Sequence, residues 1–529
     1  MATCLVNWKS GRYAFARTLP YIVFLIITAG VFSTTVDDPF ITFRYAANIT
    51  RGFGAVFNPG ERVEGYSSPL HLWICVLLLK ILPATGMLFK AKVVSAVASI
   101  WLIASTRKLS LTAGQSDQAA ILSQLLVASN IGFVVAGTNG LETSIYCLLL
   151  VEMVSMFITE IRTGHGQLSA ILMFVTILAR PEGMLLAFLF WCLRAYLTYR
   201  QKLTLRNLAV WSALLLCPAI CFELIRLGYY GLPLPNTYYA KHMPPFAALK
   251  DGVSYLFRPL AIYYEDGKHN QLWALSLRLH AILFWVLAAR GAFILKKDAA
   301  LPPILVPVAA TITFILLSGG DWMPGWRFGA GALPFISILQ CGVPGKTGKP
   351  QSKSENTTRS PQFAWALCLL ALGLFAGVVA SRRHLHFKHC APRADKNYHV
   401  ADVGRPFIHI ADTISTMLPK GCSVAYSEMG YAPYQNPDKR FIDTFGLLDA
   451  QIAALPNKYK VQIGVDMNNQ NWMAQDNPQR SIIFGKKPDY ILTDRMKTMP
   501  APGQIGPYIL VKALPDGWVL YKYNAIPTK

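Results

Sequence analysis

Residues 18–36 read TLPYIVFLIITAGVFSTTV, and residues 37–70 continue DDPFITFRYAANITRGFGAVFNPGERVEGYSSPL. The first stretch is apolar almost throughout. As a helix it is about long enough to cross the roughly 30 Å hydrocarbon core of a bilayer, which takes about 20 residues. It ends on two adjacent carboxylates, Asp37 and Asp38. Ionised side chains are expensive in hydrocarbon, so the pair marks a lipid–water boundary. Neighbouring like charges also push one pKa upward, which prepares one of the two as a base. A helix cap plus a solvated charge is the plainer role for such a pair, and the surrounding residues decide between the two.

The same pattern recurs along the chain. Of 529 residues, 53% are hydrophobic and 15% charged, against about a quarter charged in soluble domains. The apolar residues fall in runs of bilayer length, so the fold class is a polytopic α-helical membrane protein. The first run is not expected to be a cleaved signal, because TAGVFSTTVDD lacks a small-residue cleavage site and further spans follow. The net charge is +22, from 50 basic and 28 acidic residues. The basic residues are scattered between spans, which fits cytoplasmic loops and a lipid-bilayer partner, not nucleic acid. Most of the ten cysteines sit inside apolar runs and behave as small hydrophobes. Cys390 and Cys422 could form one disulfide, and no Cys/His spacing suggests a metal.

Charge bias sets the topology. Lys9, Arg12 and Arg17 precede the first span and hold the N-terminus in the cytoplasm, which delivers Asp37 and Asp38 to the outer side. Residues 68–83, SPLHLWICVLLLKILP, are short for a span and are expected to form an interfacial helix after a first outer loop at 37–67. About eleven transmembrane helices are expected, up to about residue 381. Residues 382–529 are much less apolar. CSVAYSEM, RFIDTFG, DYILTD, YILVKAL and WVLYKY read as strands, and TISTML and LLDAQIAAL as helices. A C-terminal soluble α/β domain outside the membrane is expected.

In this topology every polar motif falls on the outer face. The first loop holds Arg44, Tyr45, Asn58, Glu61, Arg62, Glu64 and Tyr66 among glycine and proline turns, a set suited to sugar hydroxyls. Glu142 in NGLET and Glu182 in ARPEG stand near helix N-termini, where a carboxylate is also favoured by the dipole. Arg180 precedes a proline at the boundary. PNTYYAKH contributes Asn236, Tyr238, Tyr239 and Lys241. GGDWMPGWRFG contributes Asp321, Trp322, Trp326 and Arg327. The arginine fork suits a phosphate, and an Asp321–Arg327 ion pair is its structural alternative.

The ordered set DDPFITFRYAANI, GFGAVFNPGERVEGYSSPL, NGLET, ARPEG, YYGLPLPNTYYAK and GGDWMPGWRF resembles bacterial polyprenyl-phosphate-sugar glycosyltransferases of the glycosyltransferase C superfamily. Within them it is most similar to the terminal arabinofuranosyltransferases of mycobacterial and corynebacterial cell walls. The resemblance covers about residues 30–330, and IDTFGLLDA fits in the tail. His71 stands where an aromatic is more usual. The resemblance implies a glycosyltransferase C fold with its site facing outward from the bacterial cytoplasmic (inner) membrane. It implies a polyprenyl-phosphate sugar donor, decaprenyl-phosphate arabinofuranose first among them, and a cell-envelope glycan acceptor such as arabinan. It also makes an aspartate of the first outer loop catalytic, which carries over to Asp37 or Asp38.

The expected chemistry has one aspartate, with Asp37 favoured, deprotonate an acceptor hydroxyl or stabilise charge at the anomeric carbon. Arg327, Arg180 and Lys241 would neutralise the departing phosphate, and the remaining polar residues would position donor and acceptor. No cofactor is required, although a carboxylate-rich face could bind a divalent cation. A hexose or uronic acid donor, with lipopolysaccharide or protein as acceptor, is the alternative within the same chemistry. A lipid-linked saccharide transporter is the alternative outside it. Its polar groups would gather near the midplane, whereas here they gather at one face.

Overall fold

The computed structural model describes residues 2–33, 35–83, 85–200, 202–259, 271–296, 298–321, 323, 325–342, part of 367–374, 405–456, 477–494, 503–514 and 518–524. In chain order the helices are α1 (Ala2–Val31), α2 (Pro39–Thr50), α3 (Pro69–Ile81), α4 (Met87–Thr112), α5 (Asp117–Ser129), α6 (Ile131–Thr138), α7 (Thr143–Thr163), α8 (Leu168–Ala179), α9 (Gly183–Tyr199) and α10 (Leu205–Tyr230). They continue with α11 (Asn236–Lys241), α12 (Pro245–Leu256), α13 (Gln271–Ile294), α14 (Leu301–Ser318) and α15 (Leu333–Cys341). The tail adds α16 (Arg405–Met417), α17 (Tyr431–Gln435), α18 (Ala450–Ala453) and α19 (Pro478–Gly485).

The chain divides into two compact units. The first comprises residues 1–34, 91–221 and 245–389, and the second comprises 35–90, 222–244 and 390–529. The first outer loop therefore clusters with the tail. The expected boundary at 381 lies outside the described residues, as does most of the expected eleventh span.

Among the described residues five helices are long and apolar enough to cross a membrane, or six if the bent pair α5–α6 forms one span. Four further apolar helices are shorter, including Phe15–Val31 of α1 and α3. The expected interfacial segment is thus a helix of 13 residues, with Ser68 accepting from the His71 amide at its start. The expected tenth span at 329–342 is only the 9-residue α15, which at 1.5 Å per residue extends about 14 Å. The third span breaks at Asn130, whose ψ of 103° ends α5. Its side chain accepts from the Phe133 amide at 2.9 Å and starts α6, and the two axes differ by 63°.

Within the first unit a buried ion pair ties four helices. Arg194 of α9 donates to Glu160 of α7 at 2.9 Å. Glu160 also accepts from the Ser169 hydroxyl on α8 at 2.6 Å, and that hydroxyl accepts from the Trp211 indole of α10 at 2.8 Å. Among apolar helices such a pair is tolerated because every charge has a partner.

In the second unit the tail forms a six-stranded sheet with β1 (Ser423–Tyr426), β2 (Arg440–Asp443), β3 (Tyr490–Asp494), β4 (Gln504–Ile505), β5 (Tyr508–Ala513) and β6 (Trp518–Tyr523). The order is β2-β1-β3-β6-β5-β4. Strands β2, β1 and β3 are parallel, with Val424 opposite Phe441 and Tyr490. Strand β6 returns antiparallel, with Ile491 opposite Tyr521. Ala425, Ile442, Ile452, Ile483, Ile491, Tyr508, Val519 and Tyr521 form the core. All five expected strands are present.

Removing one partner of the buried Arg194–Glu160 pair should destabilise the first unit. Arg194→Met is expected to cost about 3–5 kcal/mol by leaving Glu160 unpaired, read as a lowered Tm of the purified chain in detergent. Arg194→Met with Glu160→Gln should restore much of that loss.

Candidate active site

Each unit carries one constellation of the expected residues. In the second unit it starts at Asp37. Its two carboxylate oxygens accept from the backbone amides of Gly430 and Tyr431, each at 2.7 Å. Gly430 is required there, because a Cβ would stand 2.4 Å from the Asp37 carboxyl carbon. Burial pushes the Asp37 carboxyl up to about 7. The Tyr431 amide opposes this, Asp38 adds to it, and the Gly430 amide opposes it again. Asp38, half-buried, occupies the N-cap position of α2, but its side chain makes no capping hydrogen bond. The cap reading of the pair is therefore not realised by Asp38.

Three further first-loop polar residues, Arg44, Asn58 and Glu61, grip the tail domain, and Asn236 joins them. Arg44 donates to the carbonyls of Pro433 and, at 2.9 Å, Phe57 and Lys439, and stacks on Phe57 and Phe441. Asn58 pairs with edge strand β2 as another strand would. Its Nδ2 donates to the Phe441 carbonyl at 2.7 Å and its Oδ1 accepts from the Phe441 amide at 3.1 Å. Glu61 pairs with Arg440 at 2.6 Å. Asn236 donates to the carbonyls of Gly446 and Leu447 at 2.7 and 2.9 Å, in the IDTFGLLDA turn that Asp443 shapes by accepting from the Phe445 and Leu448 amides. Phe40 of α2 meets Tyr431 and Tyr434 edge-on or tilted, with ring centres 5.1 and 5.6 Å away.

Others fold the loop itself. The Tyr45 hydroxyl donates to the Val63 carbonyl and accepts from the Gly65 amide. Tyr66 and Tyr230 hydroxyls are 3.0 Å apart. Glu64 pairs with Arg226 at 2.5 Å. Burial nevertheless pushes its carboxyl up to about 7, with Arg226 opposing and Glu223 adding. Arg226 was missed in the sequence because it sits inside an apolar run. Arg62 is exposed against Tyr229 at 4.9 Å, Lys241 and Tyr238 are exposed, and Tyr239 is half-buried.

The first unit holds the second constellation. Arg180 follows α8 in extended backbone. It donates to Glu182 at 2.5 Å and to Glu142 at 3.2 Å, and all three are buried. Burial works against the Arg180 charge, but Glu182 and then Glu142 outweigh it and raise the guanidinium pKa above its usual value. Arg327 donates through Nε to Asp321 at 2.5 Å, so the ion pair given as the structural alternative is present. Its terminal nitrogens make no hydrogen bond to the described residues. Phe328 lies between the two guanidiniums, 5.2 Å from Arg180 and 5.1 Å from Arg327. Arg180, Asp321 and Glu142 all act electrostatically on Arg327. The Gly-rich loop reaches this position by lying against the broken helix, where the Trp326 amide donates to the Gly132 carbonyl at 3.3 Å. A Cβ on Gly325 would stand 2.6 Å from that carbonyl. Trp326 is buried, with its indole donating to the Tyr255 carbonyl at 3.2 Å. It is a core residue, neither a stacking platform nor a belt residue. Trp322 lies outside the described residues.

This helical fold with a C-terminal sheet is the glycosyltransferase C fold, in a multi-pass membrane protein. ArnT from Cupriavidus metallidurans bound to undecaprenyl phosphate aligns over 98% of this chain and 98% of its own, with TM-score 0.53 and 12% identity. The apo oligosaccharyltransferase of Archaeoglobus fulgidus aligns over 91% of this chain and 70% of its own, with TM-score 0.51 and 12% identity. In sequence the chain is 28% identical over 363 residues to the terminal beta-(1->2)-arabinofuranosyltransferase of Corynebacterium glutamicum, covering 59% of this chain and 49% of that protein. The match therefore spans about half the length of the curated relative. Residues 394–525 match a domain of unknown function (DUF8728).

The Asp37 geometry predicts a pH dependence. An acid whose folded pKa lies above its unfolded value favours the folded state fully below the unfolded value, near 3.8, and loses that contribution as pH rises through about 7. Thermal unfolding of the intact chain should show stability falling between about pH 4 and about pH 7. Asp37→Asn should flatten that fall, by up to about 4 kcal/mol. An equal slope in both proteins refutes the assignment.

Proposed function

We propose that this chain is a membrane glycosyltransferase. It moves a sugar, D-arabinofuranose on this reading, from a polyprenyl monophosphate to a cell-envelope glycan on the outer face of the bacterial cytoplasmic membrane. The observation that carries the proposal is fold agreement over nearly the whole chain with ArnT, crystallised bound to undecaprenyl phosphate. The Corynebacterium relative supports arabinose as the sugar, and the ordered first-loop motif supports an aspartate as the reacting group.

The roles are assigned unit by unit. This reading gives the base role to Asp38, where the sequence favoured Asp37, and the engagement of both Asp37 oxygens by tail amides supports it. The acceptor hydroxyl attacks the anomeric carbon and its proton passes to the Asp38 carboxylate. The bond from the anomeric carbon to the phosphate oxygen breaks, and its electron pair leaves with the polyprenyl phosphate. Asp321 fixes Arg327 through Nε and leaves the terminal fork to take that phosphate. Arg180, held by two carboxylates, sets the position of Phe328 and the field around the fork. The exposed Lys241 supplies a second positive charge. A guanidinium-neutralised phosphate leaves without a proton, so no divalent cation enters the proposed reaction.

Purified protein incubated with radiolabelled polyprenyl-phosphate arabinose and an arabinan acceptor should transfer label. Asp38→Asn should lower kcat by at least about a hundredfold. Asp37→Asn should keep part of the activity where it folds. Arg327→Lys, which loses the fork, should weaken donor use about tenfold or more. Full activity in Asp38→Asn, or transfer only from a mannose or galacturonate donor, would overturn respectively the base assignment and the sugar.

A further inference from the structure

Tyr426 ends β1 and is fully buried. Its ring packs against Trp518 with centres 5.3 Å apart, yet its hydroxyl has no hydrogen-bond partner among the described residues. An unused buried donor is rare enough in folded proteins to require a reason. That hydroxyl lies within Coulombic reach of two carboxylates, Asp37 and Glu428. Glu428 stands two residues beyond Tyr426 and is half-buried, and Met429 then leads to the Gly430 and Tyr431 amides that hold Asp37. All of these residues belong to the second unit.

The place in the sheet is informative as well. Strand β1 lies between β2 and β3, parallel to both, so the chain leaves it toward one neighbour and comes back to the other. In open α/β sheets ligands bind beyond the carboxyl ends of the strands at such a switch point. Tyr426 to Gly430 is that end of β1.

We propose that Glu428 and Tyr426 bind a hydroxyl of the acceptor sugar beside the Asp37–Asp38 pair, the tyrosine donating to the hydroxyl oxygen and the glutamate accepting its proton. This rests on the glycosyltransferase reading for the identity of the ligand as an acceptor. The chemistry selects a neutral polyol. The acidic side chains of Asp38 and Glu428 disfavour a phosphate. A cation would be faced by a phenol proton, and among the described residues no three His, Cys, Asp or Glu side chains group as a cation site. A sugar hydroxyl uses a donor and an acceptor together, which is what the two side chains offer. Both were passed over in the sequence, because CSVAYSEM reads as an ordinary strand and its end.

The test uses the full chain in detergent, with octyl disaccharides of arabinofuranose, mannose and galacturonic acid as probes. Binding is followed by calorimetry for wild type, Glu428→Gln and Tyr426→Phe. Undecaprenyl phosphate is titrated separately into each protein. Removal of a partnerless hydroxyl should leave Tm unchanged or higher, so Tyr426→Phe is expected to fold. Both variants should bind the disaccharide that wild type prefers at least about tenfold more weakly, with undecaprenyl phosphate affinity within about twofold. Disaccharide binding within about twofold of wild type in both variants would overturn the proposal, as would a wild type that binds none of the glycosides. A parallel transfer assay separates the two readings. Glycoside binding lost in the variants, from a wild type that transfers no sugar, would sustain the subsite and sink the transferase. Wild-type transfer with unchanged acceptor KM in both variants would do the reverse.

Discussion

A buried guanidinium needs its charge compensated, and in the first unit carboxylates supply the compensation and organise the helices around it. Arg180 is set between Glu142 and Glu182, Arg194 against Glu160, and Arg327 against Asp321. Uncompensated, each would cost several kcal/mol. The pairs differ in what they leave over. Arg194 has Glu160 and Gln167 on its terminal nitrogens, so it is locked and structural. Arg327 is gripped at Nε alone, which orients the fork without occupying it. The same rule that permits burial therefore distinguishes a strut from a candidate ligand-binding group.

In the second unit the recurrent contact is between a side chain and a backbone. Asp37, Arg44, Asn58 and Asn236 all hold main-chain atoms between residues 430 and 447. Backbone groups at an edge strand and at strand ends have unmet hydrogen bonds, and the first loop meets them. Loop and tail consequently form one cooperative piece, and the polar richness of the loop reflects that docking as much as any ligand.

How much of this was legible follows from which interactions are local. The long apolar helices, the 13-residue helix α3 and the five tail strands are written in periodicity and run length, which depend on near neighbours. Asn130 was readable only as a polar residue in an apolar run, and its break of the third span emerges from its own cap geometry. The loop residues Arg44 and Asn58 looked like sugar ligands because composition cannot tell a hydroxyl acceptor from a carbonyl nearly four hundred residues away. Trp326 looked amphipathic and is core, since only the approach of Gly132 and Gly325 brings it inside. Tyr426 and Glu428 carried no signal, because their interest lies in what the sheet order sets beside them.

Asp37 and Asp38 immediately precede α2, Asp38 at its N-cap, and they differ in burial. Burial favours a proton on Asp37 near neutral pH, which relieves the repulsion that two adjacent carboxylates would exert. Asp38 sits at the N-terminus of α2 with helical φ and ψ, where the helix dipole favours negative charge. The pair thus divides its work by environment. The buried carboxyl ties α2 to the turn after β1. Its neighbour stands half-buried at the N-cap of α2.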